Sequence, residues 1–346
     1  MNPLKTGPWN LSDLENVKKN GLKVFSCFHC GGGSSLGYKL AGFEVLGGVE
    51  IDPEMMEIYK LNHNPKYSYL MGVQQFKNIP NEKLPEELFN LDILDGSPPC
   101  SSFSMSGSRE DAWGDKKKFR EGQAEQVLDD LFFDYIDIAK KLKPKVVVAK
   151  NVKGLMIGKA KGYVKQIYQQ FNNAGYDVQL FLLNAAFMGV PQKRERTFFL
   201  ARRKDLELPV IKLNFNEKPV FVKQAFLGID CLGKQLTPDQ LKWWKLCKPG
   251  NAFSSVHPKK HWFNAFKLAE NTICPTLTAS RGNAEPFHWT EPRKISDAGM
   301  TRIQTFPDDY FYGKMGAKYM CGMSVPPFMM QRVADQIYKQ WFLSMS

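Results

Sequence analysis

A cysteine set behind two prolines is the residue of this chain best placed for covalent chemistry. Residues 91–107 read LDILDGSPPCSSFSMSG. An apolar run ends there, and the Pro98-Pro99 step fixes the backbone direction, so the Cys100 thiol leaves a buried strand along a set path. A thiolate held in that way is a nucleophile. The same residues also suit a strand that stops at two prolines, with a small cysteine packed beneath the next loop. Two other segments bear on the choice. FHCGGGSSLG, residues 28–37, is a glycine-rich turn after an apolar strand, and QKRER, residues 192–196, is a basic segment downstream.

The turn lies between a strand and a helix, where the backbone can approach a ligand closely and a helix N-terminus can hold it. Such a turn can also be purely structural. The second strand, however, ends in Glu50-Ile51-Asp52, and an acidic residue at that point suits the two hydroxyls of a ribose. Together the two features point to an adenosine-containing cofactor. Cys27 and Cys30 form a CxxC that fits half a zinc site or a redox pair, but no second CxxC and no nearby HxxxH completes it.

In this order the segments resemble the DNA cytosine-5 methyltransferases, from about Lys23 to the SVPP of residues 324–327. The resemblance implies S-adenosylmethionine as cofactor, with Phe28 and Ile51 against its adenine or methionine portions and Glu50 on the ribose. Cys30, Gly31, Gly32, Pro98, Leu131, Ser324 and Val325 complete the implied cofactor site. Four positions outside the tripeptide described below depart from the family pattern. Cys30 replaces the first glycine of FxGxG, Val73 stands near a usual acidic residue, Gly299 replaces a usual Glu and Met323 a common Asn.

Carbon C5 of cytosine is a poor nucleophile, and adding a thiolate to C6 makes it enamine-like. The resemblance gives Cys100 that role. The ring must accept electron density, so a group is needed that protonates or hydrogen-bonds N3 and anchors the exocyclic amine. In the family this is the Glu of an ENV tripeptide; here the tripeptide is Lys150-Asn151-Val152. An ammonium has donors only, and its charge opposes protonation at N3. It would lower the pKa of the Cys100 thiol without replacing the lost activation of the base. Arg194 and Arg196 align with paired arginines that contact the cytosine O2, so the pocket is expected to hold three positive side chains without its carboxylate.

Three readings of Lys150 follow. It disables an otherwise ordinary methyltransferase; or it belongs to a variant of weak or altered activity, acting on another base or with a modified cofactor; or another carboxylate serves, with Glu110, Asp111 and Glu121 as candidates. Those three acids lie in a polar, basic loop, residues 101–123, suited to closing over DNA while a base is flipped out of the duplex. A plain surface loop fits the same composition.

The elements that must position these residues follow from periodicity. Alternating β-type and helix-type segments predict an α/β fold: a Rossmann-like mixed sheet of the S-adenosylmethionine-dependent methyltransferase type, helices on both faces. Strands are expected at residues 23–28, 44–50, 91–95, 145–149, 177–183 and 197–201, and helices at 53–61, 126–142 and 162–174. Residues 1–203 are read as the catalytic and cofactor-binding domain. Residues 204–318 form a smaller, loop-rich target-recognition domain, and 319–346 a helical segment packing back on the first. Trp243, Trp244, Lys245, Lys259, Lys260, His261 and Arg281 are plausible DNA contacts in the second domain.

Composition fits this picture. The 346 residues carry a formal charge of +12 and a 43% hydrophobic share, which allows a sizeable core and favours a polyanionic partner. No apolar run approaches a membrane span and the start lacks the order of a signal peptide, so a cytoplasmic location is expected. Seven cysteines at irregular spacing make no disulfide framework. The expected partner is double-stranded DNA, with a cognate restriction endonuclease in the same system and action as a monomer. A tRNA cytosine-5 methyltransferase and a catalytically silent DNA-binding protein of this fold are the competing functions.

Overall fold

Seven strands form the main sheet: β1 (Lys23–Cys27), β2 (Glu44–Glu50), β3 (Tyr67–Leu70), β4 (Ile93–Gly96), β5 (Val146–Val152), β6 (Tyr176–Asn184) and β7 (Glu195–Arg203). Their order is β3-β2-β1-β4-β5-β7-β6. β1 pairs in parallel with β2 and β4, β2 with β3, and β4 with β5, whereas β7 runs antiparallel to β5. The chain reverses its direction of travel across the sheet between β1 and β4. That is the switch point where open α/β sheets leave a crevice at the carboxyl ends of their strands. The segment after β1 and the segment after β4 are the two singled out by sequence.

The computed structural model describes residues 7–99, 116–117, 126–127, 130–156, 160–279 and 285–343. Cys100, Glu110, Asp111, Glu121 and Arg281 lie outside the described residues, as does most of the segment following Cys100.

Helices α1 (Gly33–Leu40), α2 (Pro53–His63), α3 (Leu131–Leu142) and α4 (Ala160–Asn173) accompany the sheet. Asp52 caps α2 by accepting from the amides of Glu54 and Met55, with Pro53 in the first turn, a strong local start signal. Phe25, Leu94, Phe132, Tyr135, Val147 and Phe199 share one buried cluster. Tyr135 spends its hydroxyl on the carbonyls of Leu94 at 2.9 Å and Val148 at 3.0 Å, so its burial leaves no polar atom unmatched. A Cβ at Gly96 would stand 2.4 Å from the Tyr135 ring. The glycine at the end of β4 is therefore what lets this tyrosine pack.

Three expectations are corrected. β3 was not among the expected strands: it is an edge strand whose residues are half-buried or exposed, so no alternation marks it. The helix expected from residue 126 begins at Leu131, where the buried apolar stripe starts, and Gln126–Val127 instead pair antiparallel with Lys116–Lys117. The loop-rich region contains a four-stranded sheet, built from β8 (Leu232–Gln235), β9 (Phe266–Lys267), β10 (Pro286–Phe287) and β11 (Arg293–Ile295) in the order β8-β11-β10-β9. Strands of two to four residues that pair across long sequence distances carry no local pattern.

Contacts divide the chain into two compact units that are not contiguous in sequence. One comprises Met1–Val17, Asn184–Arg194 and Asn214–Arg332; the other comprises Lys18–Leu183, Glu195–Leu213 and Val333–Ser346. The main sheet lies in the latter. There the chain end packs on Phe43 through Tyr338 and Phe342, with ring centroids at 6.4 Å in each case. Among the described residues no helix is long and apolar enough to cross a membrane.

Candidate active site

The glycine-rich turn is held from below by an acid. Glu50, at the end of β2, is buried, and its carboxylate accepts from the amides of Cys30 at 2.9 Å, Ile51 at 2.9 Å and Asp52 at 3.0 Å. Burial pushes its pKa up, and these backbone donors oppose the rise. Phe28, Cys30 and Gly32 adopt φ values of +54°, +50° and +87°, so three residues of this short turn are left-handed. The turn closes through Gly32 N–H to the His29 carbonyl at 2.8 Å, and Leu36 N–H to the Gly32 carbonyl begins α1. Phe28 is half-buried against the main core, and Ile51 is half-buried at the strand end.

A stack of rings backs the turn. His29 lies 3.8 Å from the Tyr59 ring, and Tyr59 lies 4.4 Å from His63. Burial lowers the pKa of His29 to about 4 and holds that of His63 well below its ordinary value, so both rings are neutral near pH 7. A Cβ on Gly32 would sit 2.1 Å from His63 Nε2, in a stack with no room to yield. Gly32→Ala therefore combines left-handed strain with overpacking and is expected to lose at least about 2 kcal/mol of stability. Thermal unfolding measures that loss. Calorimetric titration with S-adenosylmethionine should show weakened binding in the same variant, and an unchanged titration would separate the turn from the cofactor.

Lys150 lies in β5 and is 2% exposed. No acidic partner for it is expected from its neighbours in sequence; the fold supplies Asp95, on the adjacent strand β4. The Lys150 Nζ donates to Asp95 Oδ1 and, at 3.0 Å, to Ser34 Oγ in the first turn of α1. Asp95 also accepts from Ser26 Oγ at 2.9 Å and Tyr38 Oη at 3.1 Å. This polar knot ties β1, β4, β5 and α1 together. Burial pulls the ammonium's pKa below its ordinary value, and Asp95 opposes the shift. An ion pair so deeply buried contributes little net stability, yet removing one partner costs about 3–5 kcal/mol. Asn151 Nδ2 donates to the Pro98 carbonyl at 3.1 Å, fixing the end of β5 to the chain two residues before Cys100.

The two arginines of QKRER fall in different compact units. Arg194 is fully buried and donates to the carbonyls of Leu277 at 2.8 Å and Gly322 at 2.7 Å. In the same unit Gln192 reaches Gln304 at 2.5 Å, and Gln304 donates to the Ser324 carbonyl at 2.9 Å. The SVPP segment is thereby tied to the basic motif. Val325 is buried. Arg196 is half-buried and donates to the Glu195 carbonyl at 2.8 Å; burial lowers its pKa to about 10. The three cations therefore have separate partners, and Lys150 has the carboxylate that its tripeptide lacks. Leu131 is fully buried in the main core, as is Val73.

Asp95, Ser34 and Tyr38 were missed by sequence reasoning. The available signal was Asp95 itself, a charge at the end of an apolar strand run, which requires a buried partner. Neither Cys27 nor Cys30 is in a disulfide. Among the described residues there is no group of three or more His, Cys, Asp or Glu able to hold a metal.

Comparison with known proteins decides the family. The profile of the C-5 cytosine-specific DNA methylases matches residues 22–339. The chain belongs to that family. It is 30% identical over 343 residues to the type II methyltransferase M.Sau96I of Staphylococcus aureus, a match covering 91% of this chain and 75% of that one. It is 37% identical over 192 residues to M.NgoPII of Neisseria gonorrhoeae, covering 55% of this chain and 50% of that one. The match thus spans about half the length of M.NgoPII. Among solved structures, a prophage-encoded E. coli DNA modification methyltransferase superposes with a TM-score of 0.73 at 21% identity, covering 92% of this chain and 99% of that one. This likeness confirms the fold expected of the C-5 methylase. Methylases of this family take their methyl group from S-adenosylmethionine. The left-handed glycine turn after β1 and the acid at the end of β2 suit such a cofactor.

Proposed function

We propose that this C-5 methylase is a site-specific DNA cytosine-5 methyltransferase of the modification type, acting as a monomer in the cytoplasm and paired with a restriction endonuclease of the same specificity. Its target cytosine is flipped from the duplex, the Cys100 thiolate adds to C6, and C5 takes the methyl group. Loss of the C5 proton then releases the thiolate. S-adenosylmethionine, when bound, would supply the electrophilic methyl, its sulfonium sulfur keeping the C–S electron pair and leaving as a neutral thioether. Phe28, Cys30, Gly31, Gly32, Glu50, Ile51 and Pro98, all in one compact unit, would hold the cofactor. Residues 1–203 carry the chemistry, 204–318 the target recognition, and 319–346 complete the catalytic part. Lys150 slows the reaction, because an ammonium committed to Asp95 and Ser34 offers N3 no acid.

The observation that carries this reading is the Asn151 to Pro98 hydrogen bond at 3.1 Å. It joins the Lys150-Asn151-Val152 strand end to the approach to Cys100, in the same compact unit as the glycine turn and Glu50. The test is transfer of labelled methyl from S-adenosylmethionine to three acceptors: unmodified genomic duplex, the same duplex carrying 5-methylcytosine at mapped sites, and tRNA. Label on the unmodified duplex alone, confined to one sequence context, is the expected result. Label on tRNA would move the activity to the RNA-directed alternative.

A further inference from the structure

Residues 257–263, HPKKHWF, make an outward loop with a rigid base. Its two ends are anchored on the aromatic core of the smaller sheet: His257 lies 4.6 Å from buried Trp243, and Trp262 stacks 6.0 Å from Phe253. Backbone bonds brace both anchors, from His257 N–H to the Phe253 carbonyl at 2.9 Å and from Phe253 N–H to the Ala265 carbonyl at 2.8 Å. Inside the loop, Lys260 N–H reaches the His257 carbonyl at 2.9 Å, and Lys259 N–H reaches His257 Nδ1 at 3.2 Å. Lys260 and Trp262 hold φ values of +53° and +65°, a conformation costly for side-chain-bearing residues and tolerated where the surroundings enforce it.

This frame costs free energy and presents a surface. Lys259, Lys260 and His261 are exposed, and Phe263 is 63% exposed. Residues 251–266 contain no Asp or Glu, so nothing within the loop neutralises the lysines. A rigid cationic tip carrying one unburied aromatic ring complements a polyanion whose grooves offer apolar base edges. The structure also separates this tip from the neighbouring tryptophans. Trp243 is 7% exposed, and Trp244 donates to the His288 carbonyl at 2.8 Å with Lys267 over its ring. Both are occupied in packing.

We infer that the loop of residues 257–263 is a sequence-reading element for duplex DNA, with Phe263 contacting base edges and Lys259 and Lys260 holding the phosphate backbone. The inference rests on the duplex-DNA reading above and assigns it to particular side chains. Phosphate contacts weaken all sequences alike when lost, whereas base contacts change which sequence is preferred.

The experiment is selection of bound sequences from a random duplex pool at several salt concentrations. It compares the full chain with Phe263→Ala, Phe263→Leu and the Lys259→Ala/Lys260→Ala pair, each checked by thermal unfolding. Phe263→Ala is expected to keep its melting temperature and its affinity for random duplex, while losing about tenfold discrimination at one or two adjacent positions. Phe263→Leu, which restores apolar bulk, should recover part of that discrimination. The lysine pair should bind every duplex more weakly and lower the slope of log affinity against log salt by about 2. An unchanged preferred sequence and salt slope in all three variants would overturn the loop assignment alone. A chain that enriches no duplex sequence at all would overturn both this assignment and the duplex-DNA function.

Discussion

Lys150→Glu is expected to raise methyl transfer to duplex DNA by about two orders of magnitude or more, the usual scale of a restored general acid. The lysine cannot accept from the exocyclic amine of cytosine, and it opposes positive charge at N3. A carboxyl in its place would face Asp95, which is buried and already carries bonds from Ser26 and Tyr38. Burial and a facing carboxylate both hold a proton on the introduced acid. The protonated form is the one able to donate to N3, so the rate should fall as pH rises through that raised pKa. Adding Asp95→Asn removes the like charge, and the falling limb should then move to lower pH. Rate profiles from labelled S-adenosylmethionine measure both effects. A limb left in place by the second change would mean that Asp95 does not govern position 150. A Lys150→Glu chain no faster than its parent would mean that another group activates the base.

Removing the thiol should have the opposite effect. Cys100→Ala is expected to lower transfer by about four orders of magnitude or more in the Lys150→Glu background, because it deletes the nucleophile of a covalent route. Binding should survive, since the glycine turn, Glu50 and the Asn151 to Pro98 bond do not involve that side chain. Duplex containing 5-fluorocytosine gives a direct readout: fluorine at C5 cannot leave as a proton does, so the thiol adduct persists through denaturing electrophoresis. The adduct should form with Cys100 present and be absent from the alanine variant. An adduct that persists in Cys100→Ala would place the nucleophile elsewhere.

Much of the positioning frame is legible along the chain. β1, β2, β4, β5 and β7 arise at or within three residues of their expected bounds, because centrally placed strands write their burial into local composition; β6, an edge strand, is marked by the apolar run LFLL. β3 escapes this rule as a four-residue edge strand with no fully buried residue. The four short strands of the smaller sheet escape it because pairs such as Phe266 with Pro286 are made by distant segments, and two residues have no period. Trp243 and Phe263 show the same limit among functional candidates. Both are aromatic residues in a basic stretch, and only packing distinguishes the buried one from the exposed one.

The sequence by itself supplied the resemblance from which the proposed chemistry follows. A cysteine after two prolines, a glycine turn after a strand, an acid one strand later and a basic pair downstream each fit a structural use alone, and their order along the chain is what resembles the cytosine-5 methyltransferases. It also exposed the conflict at Lys150, because position within the tripeptide is a linear fact. The tertiary structure decided how that conflict is met. Asp95 and Lys150 are 55 positions apart in the chain, and adjacent parallel strands bring them together with Ser34 in a dry interior. There an ammonium must find a carboxylate, or the fold would bear the cost of an unpaired buried charge.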